Sequence, residues 1–87
     1  MRFVWDEEKA GTNLRKHGVS FEEATTVFAD PLAVIAEDPG RPEHAWIIGE
    51  SALQRVLLVV FLETDAVRII SARRATRHER RTYEEGT

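Results

Sequence analysis

The segment RVLLVVFL, Arg55 to Leu62, constrains the fold more than any other stretch of this chain, because its last seven residues are apolar without interruption. A strand with one wet face alternates apolar and polar side chains, so an unbroken run belongs to a central strand covered on both faces. Helices are expected on one face, with further core or a partner on the other. Seven residues also fall far short of the roughly 20 that an apolar helix needs to cross a bilayer.

Other β-type runs lie at Leu32 to Ala36, Ala45 to Ile48 and Val67 to Ala72, and the alternation from Arg2 to Trp5 reads as a short opening strand. Turn-forming residues separate the later runs: Asp38-Pro39-Gly40-Arg41-Pro42, Gly49 to Gln54, and Glu63 to Ala66. Links this short favour an antiparallel meander. Asp6 can N-cap a helix running to about His17, where Gly18 supplies the left-handed C-terminal residue, and Trp5 and Ala10 sit at hydrophobic-staple spacing. Ser20 and Glu23 form a capping box for a second helix, with Phe21, Ala24, Val27 and Phe28 on one apolar stripe, and Asp30-Pro31 stops it. From about Ala75 the pattern turns helical again, with Arg80 and Glu84, and Arg81 and Glu85, spaced for ion pairs. The expected fold is α+β, one domain over residues 1–87: an antiparallel sheet, two N-terminal helices packed on it, and a short C-terminal helix.

The absence of cysteine excludes a disulfide framework and a thiolate zinc site, and it suits the reducing cytosol. No apolar leader follows Met1, so a soluble, cytoplasmic protein is expected. His17, His44 and His78 stand in no ligand spacing, and neither metal nor cofactor is expected. Fifteen acidic residues against twelve Lys and Arg give a formal charge of −3, which argues against diffuse affinity for nucleic acid. Yet six of those twelve cations fall within the fourteen positions Arg68 to Arg81, a local concentration suited to an anion.

The blocks FVWDEEKAGTNLRKHGVSFEEATTVFADP and RIISARRATRHERRTYEE resemble the BrnT family of bacterial type II toxins, whose members pair a WDxxK…N…KHG opening with an ISAR…ER…YE ending. Phe3, Trp5, Asp6, Lys9, Asn13, Lys16, His17 and Gly18 match the first pattern, and Arg68, Ser71, Ala72, Arg73, Glu79, Arg80, Tyr83 and Glu84 the second. Two places depart from it: His44 precedes the Ala45-Trp46-Ile47-Ile48-Gly49 strand where members often carry Arg, and Glu63-Thr64-Asp65-Ala66 is acidic where a basic hairpin is common. The resemblance implies a RelE-like ribonuclease fold and metal-independent cleavage of RNA that stops translation. It also implies a cognate antitoxin of the BrnA kind, with operator DNA bound only through that antitoxin, and no membrane.

Metal-free RNA cleavage uses the substrate's own 2′-hydroxyl as nucleophile, so a protein must supply a proton acceptor, a proton donor and cations for the charged transition state. Guanidinium groups fit the last role, and Arg73 is the leading candidate, with Arg68 and Arg80 supporting it. Arg73, Arg77 and Arg80 would form one cationic stripe if the last helix began at Arg73. Lys16, Arg74 and Arg77 are candidates for holding RNA. The alternative for Arg77, Arg80 and Arg81 is a solvated face tied to Glu84 and Glu85. His17 is the candidate proton carrier, or else it satisfies the carbonyls that end its helix. Tyr83 either meets a base or the reacting groups, or anchors the last helix to the sheet. Trp5 and Trp46 read as packing, and Glu50 and Glu79 remain as candidate bases beside their reading as exposed charges. A second functional reading is an antitoxin-binding subunit without turnover. Direct duplex DNA binding ranks last, since nothing resembles a recognition helix.

Overall fold

The computed structural model describes residues 1–86. Strand β1 (Phe3–Val4) leads into helix α1 (Glu7–His17) and helix α2 (Phe21–Thr26), which tightens into a 3₁₀ turn at Val27–Ala29. Strands β2 (Val34–Glu37), β3 (Ala45–Glu50), β4 (Val56–Glu63) and β5 (Val67–Arg74) follow, and helix α3 (Arg77–Glu85) closes the chain. The sheet order is β1-β5-β4-β3-β2. Strands β2 to β5 form the antiparallel meander that their short links favour, whereas β1 runs parallel to β5, so the sheet is mixed. The two helices after β1 belong to the long crossover that parallel pairing requires.

Local chemistry sets the helix ends. The Asp6 carboxylate accepts from the N–H groups of Glu8 and Lys9 at 2.8 and 3.1 Å, and Gly18 takes φ 70° at the other end of α1. Ser20 accepts from the Glu23 N–H at 2.9 Å, but the Glu23 side chain does not return to the cap. Its carboxylate, itself buried, is drawn instead into a pair with the half-buried Arg55 and a 2.6 Å bond from the Ser51 hydroxyl. The complete capping box lies at Thr76 and Glu79, so α3 starts after Thr76 rather than at Arg73.

The core lies between the helices and one face of the sheet. Val19, Phe21, Ala24 and Val27 pack against Ile47, Leu57, Val59, Phe61, Val67, Ile69 and Ala72. Phe21 and Leu57 are fully buried, each contributing about 1.5–3 kcal/mol by removal from water. Edge-to-face contacts of Trp5 with Phe21 (6.0 Å) and of Phe28 with Phe61 (5.0 Å) tie the N-terminal segment to β4. On the opposite face Ile48 and Leu58 are also buried, on the side where α3 packs, whereas Trp46, Val60 and Leu62 are only half-buried. The apolar run of β4 is thus covered on both faces at its start and on one face beyond.

Candidate functional site

A β-bulge decides which side chains share the open face. Five positions separate Arg68 from Arg73, and the two-residue period of a regular strand would send them to opposite sides. In β5, however, Arg68 lies opposite Leu62, Ser71 opposite Val60 and Arg73 opposite Leu58, with the register slipping between Val60 and Phe61. Ile70 is the extra residue. Leu58, Val60 and Leu62 alternate along one side of β4, so Arg68, Ser71 and Arg73 all project from the face away from α1 and α2. Arg68 and Arg73 stand opposite Leu62 and Leu58, four residues apart on β4, so about 13 Å of strand separates them, near opposite ends of that face.

Arg73 is held from α3. Its Nη1 donates to Glu79 Oε1 at 2.8 Å and its Nη2 to Glu79 Oε2 at 2.9 Å, and Nη1 also donates to the Arg74 carbonyl at 3.2 Å. The side chain still keeps 37% of its exposure. These hydrogen bonds from Arg73, joined by those from Thr76, hold the Glu79 carboxyl below its ordinary value, and the same pairing raises Arg73.

Beside this face, α1 runs along the free edge of β5. The two enclose a cleft of about 460 Å³ lined by Lys9, Thr12, Lys16 and His17 from the helix and by Ile70 and Ser71 from the strand. Lys9 and Lys16 are exposed and His17 is half-buried. Ser71 therefore belongs both to the cleft and to the face that carries Arg73. Asn13 builds this junction: its amide donates to the Ala72 carbonyl at 2.8 Å and accepts from the Ala72 N–H at 3.1 Å, replacing the strand that β1 is too short to provide. It also donates to the Val19 carbonyl at 2.9 Å.

The remaining expected site residues are dispersed. Arg77, Arg80 and Arg81 line a second cleft of about 420 Å³ with Ala75 and Glu84, on the exposed side of α3. Arg80 approaches Glu84 only to 4.0 Å, and no Arg81–Glu85 pair forms among the described residues. Because α3 begins at Arg77, Arg73 does not continue their stripe. Arg74 pairs with Leu57 on the core side of the sheet, where its charge reaches Glu23. Tyr83 is committed to a structural bond: its hydroxyl donates to Asp30 Oδ2 at 2.6 Å, which joins α3 to the turn before β2. That bond to a carboxylate pushes the phenol up to about 12. Asp30 also accepts from the Glu50 and Leu32 N–H groups. Trp46 lies on the open face opposite Val60.

Asn13, Asp30, Glu23 and Arg55 are the organising polar residues that sequence reasoning left without these roles. Asn13 carried a signal, a polar residue one turn before the helix end inside a matched block. The Glu23–Arg55 pair spans 32 positions and carried none. Among the described residues no group of three His, Cys, Asp or Glu side chains is placed to share a metal ion, and no helix is long and apolar enough to cross a membrane.

Comparison with known proteins bears on this geometry. Residues 5–79 match the family profile described as the ribonuclease toxin, BrnT, of type II toxin–antitoxin systems. Among solved structures, the 1.1 Å crystal structure of the Brucella abortus ribonuclease toxin BrnT is similar at a TM-score of 0.71 and 28% identity, covering 88% of this chain and 99% of that one. No curated protein matches the sequence significantly.

Proposed function

The chain belongs to the BrnT family of ribonuclease toxins of type II toxin–antitoxin systems, and from that premise we propose that it cuts RNA without a metal ion, arrests translation, and is silenced by a cognate antitoxin. The observation that carries this reading is the bulge at Ile70, which sets Arg68, Ser71 and Arg73 on one open face beside the Lys9, Lys16 and His17 cleft. An RNA strand lying along that face meets cations on both sides of Ser71.

In the proposed reaction the 2′-oxygen attacks the adjacent phosphorus and the bond to the 5′-oxygen breaks. The products are a 2′,3′-cyclic phosphate and a 5′-hydroxyl. The proton of the 2′-hydroxyl must leave and the 5′-oxygen must gain one; His17 is the group assigned to carry a proton, as an imidazole at a helix C-terminus. Arg73 stabilises the charge that builds on the nonbridging oxygens. Lys9 and Lys16 hold flanking phosphates as point charges. Arg77 and Arg80, on the outer side of α3, fit a more distant stretch of the strand, and Arg68 the far end of the face. Operator DNA enters only through the antitoxin.

A second reading, an antitoxin-holding subunit without turnover, is favoured by the pairing of Arg73 with Glu79 and by the exposed acids Glu63, at the end of β4, and Asp65, in the turn that follows. Induced expression without antitoxin separates the two. Protein synthesis should stop with the parent chain and continue with Arg73→Ala at equal protein level. Undiminished arrest by that variant would remove Arg73 from its role, and failure of the parent to arrest synthesis would favour the binding subunit.

A further inference from the structure

Arginine has four rotatable bonds, so a guanidinium that meets a reacting phosphate must be aimed, and the contacts of Glu79 supply the aim. A guanidinium offers an end-on fork from Nη1 and Nη2 and a side-on fork from Nε and Nη2. In Arg73 the end-on fork is filled by the Glu79 carboxylate, and the second Nη1 proton goes to the Arg74 carbonyl. Among the described residues no acceptor meets Nε or the remaining Nη2 proton, and the side chain stays partly exposed. Arg55 is arranged the other way: Nε and Nη2 grip Glu23, and Nη2 also donates to the Gly18 carbonyl. Arg55 straps two elements together. Arg73 is gripped from behind with a two-donor fork left open.

Glu79 cannot swing with its partner. Oε1 accepts from the Thr76 N–H at 2.9 Å, while the Glu79 N–H donates to the Thr76 hydroxyl at 3.2 Å, and only 16% of the side chain is exposed. The carboxylate is therefore fixed to the first turn of α3, and the plane of the Arg73 guanidinium is fixed by the carboxylate.

We infer that Glu79 is a positioning residue, orienting Arg73 so that its Nε–Nη2 fork receives two nonbridging oxygens of an RNA phosphate on the open sheet face. This rests on the ribonuclease reading above. Glu79 makes no contact with substrate and transfers no proton, since its oxygens are occupied by Arg73 and Thr76. The same clamp accounts for an arginine that is both ion-paired and suited to phosphate.

The test uses the full chain and a 2′-O-methyl oligoribonucleotide, which lacks the attacking hydroxyl and is not cut. Titration should shift the Arg73 Nε–H resonance in an NMR spectrum of ¹⁵N-labelled protein, identified by its loss in Arg73→Lys. Glu79→Gln retains an acceptor for Thr76, and it should abolish that shift. Its single-turnover rate on unmodified RNA at saturating protein should fall on the order of 10- to 100-fold, the cost of a misplaced group. In an Arg73→Ala background the same substitution should change nothing further, which a merely structural Glu79 would not predict. An equal fall in both backgrounds, or an unchanged Arg73 shift in Glu79→Gln, would overturn the inference while leaving the nuclease reading intact. A normal shift in the parent chain without cleavage of unmodified RNA would instead sink the nuclease reading and leave the positioning role standing.

Discussion

Replacing Asn13 with leucine, whose side chain has the same branched skeleton of four heavy atoms, tests the junction between α1 and β5. The substitution removes three hydrogen bonds in a residue that is 7% exposed, and it leaves the Ala72 N–H, the Ala72 carbonyl and the Val19 carbonyl without their partner. Each buried backbone group left unpaired costs about 1–3 kcal/mol, and partial relaxation toward water brings the total to about 3–5 kcal/mol. For a domain of this size, a loss of 3 kcal/mol corresponds to a fall in Tm of roughly 12–24 °C. Urea unfolding followed by circular dichroism should show a lower midpoint with an unchanged slope. Asn13→Asp should be worse than Asn13→Ala at neutral pH, because a carboxylate would face two carbonyl oxygens with no proton to give. An Asn13→Leu midpoint equal to the parent's would refute the claim that this amide stands in for a missing strand.

The other predictions concern protons. Glu23 and Glu79 both lie below the ordinary value of 4.5, each chiefly through hydrogen bonds from an arginine, Arg55 and Arg73 respectively. The unfolded chain therefore binds more protons between those lowered values and about 4.5, so their contribution is complete above 4.5 and shrinks as pH falls below it. Acid unfolding should begin in that range, and Arg55→Met should reduce its steepness. Tyr83 is the sole tyrosine, so phenolate absorbance reports it alone. Its titration should centre near 12 in the folded protein and move toward 10 in Asp30→Asn. Because the folded value is raised, the stability from this bond is present below pH 10 and lost as pH climbs toward 12. A midpoint of 10 in the parent chain would show that α3 is not tied to Asp30.

Local signals in the sequence specified most of the fold, and the features they missed depend on contacts between distant residues. Asp6, Gly18 and Ser20 mark the ends of α1 and α2 through bonds within three or four positions, and the structure follows them. The apolar run of β4 identifies the central strand. Glu23 looked like the second half of a capping box because Ser20 lies three residues before it. Its carboxylate goes to Arg55 instead, a residue that reaches it only once β3 and β4 have folded back. The parallel placement of β1 was hidden for the same reason. The candidate site depended on the bulge at Ile70, and nothing in RIISARR distinguishes that isoleucine from its neighbours. Read as a regular strand, the segment would put Arg68 and Arg73 on opposite faces. The arginine run was legible as a charge concentration, but its division between the sheet face, the core side and the outside of α3 follows from the bulge in β5 and from where Thr76 starts the helix.

The most direct test of the account is the chemistry of the cut ends. Purified chain, freed of antitoxin and held in excess chelator, should convert a single-stranded oligoribonucleotide to fragments bearing 2′,3′-cyclic phosphate and 5′-hydroxyl termini. Arg73→Ala should slow this by about 10²–10³-fold, the usual cost of removing one preorganised transition-state donor. Fragments ending in 3′-hydroxyl and 5′-phosphate, cleavage that stops in chelator, or an Arg73→Ala rate equal to the parent's would contradict it.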